Sequence, residues 1–188
     1  MSPSSYVRDM LYMTMEPLVD FPMFELPTDF RFSTLGNEGQ EKWYGLHRAA
    51  EPVFDIYDGL LDEQFGREGE LEDRCVFLNC GGQVAGSAIA WWEMVGEERW
   101  GSLRWVAIHP DYQGQGLSRP LLSYVLTRIQ ESHDKCLLTT YPDRLQAIRL
   151  YLEFGFRPRF ASEKGRQVWQ NVARQFEHPL LESLSRPF

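Results

Sequence analysis

The sequence predicts a single mixed α/β domain, and three stretches carry that prediction. Residues 103–131 pass from a continuous apolar run, through a turn with two glycines, into apolar residues at helical spacing. Residues 136–154 repeat the order of an apolar strand followed by an amphipathic helix. Two apolar segments joined at Gly81-Gly82 predict a β-hairpin. A chain of 188 residues, 43% of them hydrophobic, is long enough to bury one such core.

Composition excludes several classes of function. The net charge of −8 argues against a nucleic-acid partner, which requires a basic face. An acidic surface suits a cationic or amine substrate, and it equally suits solubility alone. No apolar run is long enough to cross a membrane, and the N-terminus lacks the basic and apolar regions of a secretion signal.

The cysteines and histidines predict a metal-free protein in a reducing compartment. Cys75, Cys80 and Cys136 show no paired metal spacing, so we expect free thiols and a cytoplasmic location. The four histidines form no cluster of ligands, and we therefore expect no metal site.

The N-terminal third contains short elements and many breaks. Prolines interrupt residues 1–26, for which we expect an irregular arm packed on the body or, second, over the substrate side of a cleft. The domain itself is expected over 27–177. It begins with a strand over 30–35, a turn over 36–39, helices over 41–50 and 53–65 separated by Pro52, and a charged loop over 67–73.

Further strands and helices follow in regular order. The hairpin strands cover 74–80 and 83–94, and a fourth strand covers 99–109. A helix supported by Pro120 in its first turn precedes a fifth strand over 136–140. Asp143 is expected to cap the next helix, which Gly155 ends. A short strand over 157–160 and a helix over 162–176 complete the domain. No seventh strand is placed, and 178–188 is expected to be a loosely held tail.

The turn before Pro120 is the candidate phosphate site. A strand that enters a helix through glycines leaves unpaired amide N–H groups at one point, where the helix dipole also favours an anion. The residues concerned are Gln113, Gly114, Gln115, Gly116, Leu117 and Ser118. A dinucleotide-binding turn would require a third glycine, but Arg119 occupies that position, which disfavours a nicotinamide enzyme.

Two motifs together resemble the GCN5-related N-acetyltransferase (GNAT) family. Gln113 and Gly116 fit its pyrophosphate loop Q/R-x-x-G-x-G/A, with Ser118 at the last position. The family pattern N-x-x-A-x-x-L-Y-x-x-x-G-F then matches at Ala147, Leu150, Tyr151, Gly155 and Phe156, with Arg144 in place of the asparagine. The resemblance covers roughly residues 29–159 and implies a twisted, mostly antiparallel sheet of six to seven strands. Strands four and five are parallel in that fold, and helices cover both faces.

The resemblance also implies an activity, which is transfer of an acetyl group from acetyl-CoA to a primary amine by direct attack. The 113–118 loop would hold the pyrophosphate, and the backbone of Val106 and Ile108 would pair with the pantetheine arm. Arg144 is counted with these cofactor-binding residues. Tyr151 is the candidate general acid that stabilises or protonates the departing thiolate. Glu93 is the candidate general base, with relay of the amine proton through water as the alternative.

Other interpretations stay open at this point. The chain could bind acyl-CoA without turnover, as a sensor or regulatory module, or it could be a structural or interaction domain. The acceptor is expected to be a small-molecule amine or a peptide N-terminus, on the side formed in the family by residues 41–65. The acyl chain length and the choice between monomer and homodimer are not fixed by any motif.

Overall fold

A computed structural model describes residues 10–36, 39–51, 54–66, 69–160, 162–176 and 178–182, which form a seven-stranded sheet with helices on both faces. The strands are β1 (Leu11–Met15), β2 (Phe30–Thr34), β3 (Cys75–Cys80), β4 (Gln83–Val95), β5 (Glu98–Ile108), β6 (Cys136–Thr140) and β7 (Arg157–Arg159). The helices are α1 (Gly39–Ala50), α2 (Leu60–Phe65), α3 (Glu70–Arg74), α4 (Ser118–Gln130), α5 (Leu145–Glu153) and α6 (Glu163–Ala173).

The sheet is mixed, with one parallel pair. Its order is β2-β3-β4-β5-β6-β1-β7, and all neighbours are antiparallel except β5 and β6. The expected fold class is therefore confirmed, including the parallel pairing of the strands before and after α4. A parallel connection needs a long crossover, which α4 supplies.

Adjacent residues of β4 mark two separate cores. Ala88 and Ala90 pack into a cluster with α4, α5 and α6, whereas Ile89 and Trp91 pack into a cluster with α1, α2 and α3. Because side chains alternate along a strand, these clusters lie on opposite faces of the sheet. The residue pattern of β4, apolar at nearly every position, is explained by this cover on both faces.

The prediction of an irregular N-terminal arm is wrong for residues 11–15. This segment forms β1, which is the additional strand that the sequence analysis did not place. It lies between β6 and β7. Leu11, Met13 and Met15 are buried, while Tyr12 is exposed, so the segment has the two-residue period of a strand. The nearby prolines concealed this period. Residues 1–9 of the expected arm lie outside the described residues.

Two predictions in the 53–73 region also need correction. The helix expected over 53–65 is helical only in α2, since Gly59 has a φ of 96° just before it. Pro52 and Val53 lie outside the described residues. The loop expected over 67–73 contains the short helix α3 at its end. In the turn expected over 36–39, residues 37 and 38 are not described, and Gly39 already belongs to α1.

The later helix ends follow the sequence more closely. Gly155, with a φ of 96°, ends the α5 region in the left-handed conformation, as predicted. The cap at Asp143 is wrong, because α5 begins at Leu145 with Arg144 at the N-cap and no side-chain cap bond. Ser162 caps α6 by accepting a hydrogen bond from the Gly165 N–H at 3.1 Å. In the expected tail, Leu181 is buried, and residues 183–188 lie outside the described range.

Candidate active site

The parallel strands β5 and β6 separate partway along their length. Residues 101–103 pair with residues 136–138, but the remaining residues of the two strands, 104–108 and 139–140, do not pair with each other. The free edge of β5 therefore faces an open slot. Backbone groups on such an edge are available to another extended molecule.

A bulge directs β5 away from β6 at the point of separation. Between the pairs Ser87–Ala107 and Ile89–Arg104, β4 advances by two residues and β5 by three. Trp105 lies inside this bulge with a φ of 49°, a conformation that bulky residues rarely adopt. Local strain of this kind persists only where surrounding packing maintains it, and it is concentrated at functional sites.

The slot widens into a cleft of about 680 Å³. This volume is typical of ligand sites. The cleft is bounded by the free part of β5, the end of β6, the end of α1 and the start of α5. Its lining residues come from both faces of the sheet, since Phe54 and Trp105 belong to the α1–α3 cluster, whereas Val106 and Tyr151 belong to the α4–α6 cluster. The cleft thus runs through the sheet.

Backbone polar groups of Val106 and Ile108 point toward this cleft. The His109 N–H donates to Ala85 O on β4 at 2.8 Å, so His109 is turned toward β4. Backbone direction alternates along a strand, which turns Ile108 and, two residues earlier, Val106 to the open side. The Ile108 carbonyl accepts a hydrogen bond from the Gln113 side chain at 3.0 Å. Val106 and Ile108, for which the sequence predicts backbone contacts with a ligand, thus have their backbone groups on the open side of β5.

The 113–118 loop follows at one end of the cleft, where Gln113 contributes to the lining. Gly114 and Gly116 have φ values of 76° and 75°, so both turns of the loop use the left-handed region. Among the described residues, nothing accepts a hydrogen bond from the backbone N–H groups of residues 114–118. These groups lie at the start of α4, where the helix dipole is positive. The loop is therefore able to bind an anion such as a phosphate.

Tyr151 is buried in the wall of the cleft, with 7% of the residue exposed. Burial raises the pKa of Tyr151 to about 12, an effect that the positive charge of Arg144 partly opposes. Its ring packs edge-on against Phe156, with centroids 6.1 Å apart. The structure records no hydrogen bond from the Tyr151 hydroxyl to any described residue. Tyr151 is therefore a protonated donor available to a ligand.

Arg144 lies in the cleft at the start of α5. Its guanidinium forms an ion pair with Glu51, which directly follows α1. The guanidinium carbon lies 5.6 Å from the ring centroid of Phe54 and 5.4 Å from that of Tyr141. All four side chains line the cleft and connect its two walls. From the sequence alone, Arg144 is counted with the cofactor-binding residues, at a position where it departs from a family motif.

Glu93 is not brought to the cleft. Its carboxylate accepts hydrogen bonds from Ser102 Oγ at 2.6 Å and from Arg104 Nη1 at 2.7 Å. It does not belong to the lining, although Arg104 does. The structure therefore gathers the loop, the β5 edge and Tyr151 at one cleft, and it places Glu93 behind Arg104.

Sequence reasoning missed several cleft residues with ionisable side chains, among them Glu51 and His47. Glu51 contacts a residue 93 positions away in the chain, which no local pattern could indicate. His47 is 2% exposed, and its Nε2 lies 3.0 Å from Ser87 Oγ. Burial, followed by the charge of Arg144, lowers the pKa of His47 to about 3. His47 is consequently neutral at physiological pH.

Three further observations concern metals, thiols and membranes. Within the described ranges, no group of three or more His, Cys, Asp or Glu side chains is placed to hold a metal ion. The three cysteines are free; Cys75 and Cys136 are buried, and Cys80 is partly buried. None of the described helices has the length and apolarity required to span a bilayer.

Comparison with solved structures identifies the same fold. A GCN5-related N-acetyltransferase from Sphaerobacter thermophilus is 17% identical with a TM-score of 0.61, and it aligns over 81% of this chain and 49% of its own. A GCN5-related N-acetyltransferase from Kribbella flavida is 19% identical with a TM-score of 0.56, over 81% of this chain and 55% of its own. This chain thus spans about half the length of these two proteins.

A third structure is similar over most of its own length. The ribosomal-protein-S18-alanine N-acetyltransferase of Escherichia coli is 25% identical with a TM-score of 0.56, over 70% of this chain and 79% of its own. A search of curated proteins found no match. The model of the Acetyltransferase (GNAT) family matches residues 40–156, which include the slot, the 113–118 loop and Tyr151. This match covers well over half of the sequence, and the chain therefore belongs to the GNAT acetyltransferase family.

Proposed function

We propose that this protein transfers an acetyl group from acetyl-CoA to a primary amine. The observation that carries the proposal is a continuous path of ligand-binding groups through the sheet. The amides of residues 114–118, which have no acceptor among the described residues, lie at one end, and the free edge of β5 follows. The Tyr151 hydroxyl, which also has no hydrogen bond to a described residue, lines the same cleft. Membership of the GNAT family supports acetyl-CoA as the donor.

The donor is held mainly by backbone groups. The amides of Gly114, Gln115, Gly116, Leu117 and Ser118 bind the pyrophosphate, with help from the dipole of α4. The edge groups of Val106 and Ile108 pair with the amides of the pantetheine arm, as an added strand would. This mode of binding explains why the sequence offers no dedicated cationic cluster at the loop.

The reaction requires one bond to form and one to break at the thioester carbonyl. The neutral amine nitrogen attacks the carbonyl carbon, a C–N bond forms, the C–S bond breaks, and coenzyme A leaves as a thiolate. Tyr151 donates a hydrogen bond to that sulfur. Full proton transfer from a phenol of pKa about 12 to a thiolate is uphill, since thiols ionise near ~8.5. Tyr151 therefore stabilises the thiolate, which takes its proton from solvent.

The proton lost by the amine passes to water. Glu93 is a weak candidate for the base, because Arg104 and Ser102 already bind its carboxylate outside the cleft. Water reaches the amine through the open mouth of the cleft. The three free thiols suit a reducing compartment such as the cytoplasm.

The proposal is tested by release of free thiol. The protein is incubated with acetyl-CoA and a panel of amines, and free coenzyme A is detected with a thiol reagent. We expect amine-dependent release together with binding of coenzyme A in calorimetry. Binding without release for any amine would instead support an acyl-CoA-binding module, and absence of binding would contradict both interpretations.

A further inference from the structure

The acceptor end of the cleft contains a partly buried pair of opposite charges. Glu51 retains 15% exposure of its side chain and Arg144 retains 34%, and the two form an ion pair across the cleft. Charges in such an environment need a partner, since an unpaired buried charge is costly. A ligand that enters between them must therefore offer a cation to Glu51 and an anion to Arg144.

The position of this pair assigns it to the acceptor. The 113–118 loop leads into α4, and Tyr151 also packs with the α4–α6 cluster, so the donor occupies that face of the sheet. Glu51 follows α1, and Phe54 packs with the α1–α3 cluster on the opposite face. Because the cleft runs through the sheet, the acceptor meets the thioester from the α1 side.

Two features of the site at Glu51 favour a cation, namely its carboxylate and the C-terminus of α1. Its backbone N–H bonds to the His47 carbonyl at 2.9 Å, which places its carboxylate beside the C-terminus of α1. The negative end of the helix dipole adds to the carboxylate charge. An ammonium group can therefore replace the guanidinium of Arg144 at Glu51.

Arg144 is held in place without Glu51. The rings of Phe54 and Tyr141 both lie within 6 Å of its guanidinium carbon, at 5.6 Å and 5.4 Å. These two rings also contact each other, with centroids 5.3 Å apart. When an ammonium takes Glu51, Arg144 remains in the cleft as a cation that requires an anion.

We infer that the acceptor is a small zwitterion of the amino-acid type, whose ammonium binds Glu51 and whose carboxylate binds Arg144. A simple amine or a diamine would take Glu51 from the guanidinium and supply no anion in its place, and a peptide N-terminus has no carboxylate next to its amine. This inference rests on the proposed function, and it assigns Arg144 to the acceptor instead of the cofactor. The ammonium bound at Glu51 loses one proton to water before it attacks.

The test compares amino acids with their carboxamides. Thiol release from acetyl-CoA is measured with a panel of L-amino acids, the corresponding amides and 1,4-diaminobutane. For the preferred side chain, kcat/KM should be at least about tenfold higher for the acid than for the amide, because truncating one charge of a buried pair is costly. Equal or better use of the amide or the diamine would overturn the inference while leaving acetyl transfer intact.

Variants separate recognition from a structural ion pair. Arg144→Gln should raise KM for the amino acid by about tenfold and leave KM for the amide nearly unchanged, so the preference for the carboxylate disappears. Glu51→Gln should raise KM for both. Arg48→Gln and Asp58→Asn are matched controls, since Arg48 and Asp58 form an exposed pair, 2.5 Å apart, outside the cleft lining. An equal loss for acid and amide in Arg144→Gln would contradict the inference.

Binding measurements decide the case in which no turnover is found. Calorimetry of the amino acid with the full-length protein, with and without coenzyme A, reports the acceptor site directly. Binding that is lost in Arg144→Gln but kept in Arg48→Gln would support the inference even if the proposed activity failed. No binding of any amino acid, together with no turnover of one, would overturn it.

Discussion

Replacing Tyr151 with phenylalanine removes one hydroxyl group from the wall of the cleft and leaves the ring in place. The structure records no hydrogen bond from this hydroxyl to a described residue, so the free energy of unfolding should change by less than about 1 kcal/mol. Removing a single donor to a developing negative charge typically costs 10²–10³-fold in rate. A phenol of pKa about 12 is a weak donor, so we expect an effect at or just below the lower limit of that range, a fall in kcat of about 30- to 100-fold.

The assay compares two acyl donors. With acetyl-CoA, Tyr151→Phe should lower kcat while KM for acetyl-CoA stays within about twofold, because the pyrophosphate and pantetheine contacts are unchanged. An acetyl thioester of a more acidic thiol needs less help at the departing sulfur, so the defect should shrink with that donor. Tyr124→Phe is the control, since the Tyr124 ring stacks on Phe32 at 4.2 Å outside the cleft lining.

Wild-type kcat in Tyr151→Phe would refute the role of the hydroxyl. A defect of equal size with both donors would mean that the hydroxyl acts at a step other than departure of the thiolate. In the wild-type enzyme, ionisation of Tyr151 should not reduce kcat between pH 7 and pH 10, because the required protonated form is lost only as the pH approaches about 12.

Three further predictions concern the loop, Glu93 and His47. Gly116→Asp should weaken coenzyme A binding in calorimetry by more than about 100-fold, because it places a carboxylate among the loop amides. Gly96→Asp is the control, since Gly96 has a φ of 66° in a hairpin turn and the substitution causes the same backbone strain there. This variant should bind coenzyme A normally. Glu93→Gln should leave the pH–rate profile of acetylation unshifted, and loss of the rise in rate on the acidic side of that profile would identify Glu93 as the base. His47 has a pKa of about 3 in the folded protein and near ~6.5 in the unfolded chain, so the unfolded chain binds more protons between these two pH values. The contribution of neutral His47 to stability is therefore lost as the pH falls from about 6.5 toward 3. Urea midpoints should therefore fall less over this window in His47→Gln than in the wild type, and parallel curves would disprove the assignment.

The parts of the site that sequence predicted are those built from neighbouring residues. The glycines and proline around Gln113 and Ser118 determine a turn before a helix by themselves, and the apolar run of β5 needs no partner to be recognised. Tyr151 was indicated by a motif that spans α5 and ends at Gly155 and Phe156, just after the helix. In each case the signal lies within about 15 residues, where turn chemistry and periodicity act.

The parts that sequence missed depend on contacts between distant segments. β1 is stabilised by insertion between β6 and β7, more than 120 residues later in the chain, and its five-residue alternation is too short to outweigh the surrounding prolines. The bulge at Trp105 arises because β5 advances by one residue more than β4 between the same two residue pairs. Glu51 becomes a cleft residue only when α1 and α5 face each other across the slot. Local patterning contains no information on such pairings.

The backbone amides of residues 114–118 at the start of α4 have no acceptor among the described residues, and we propose that they bind a diphosphate. Titration of ¹⁵N-labelled protein with coenzyme A measures this binding through the amide resonances of Gly114, Gln115, Gly116, Leu117 and Ser118. If these amides bind the diphosphate, the five signals should shift strongly and together, while those of the hairpin glycines Gly81, Gly82 and Gly96 should not. Saturable binding that leaves the five loop signals in place would contradict it, and so would an absence of binding at millimolar coenzyme A.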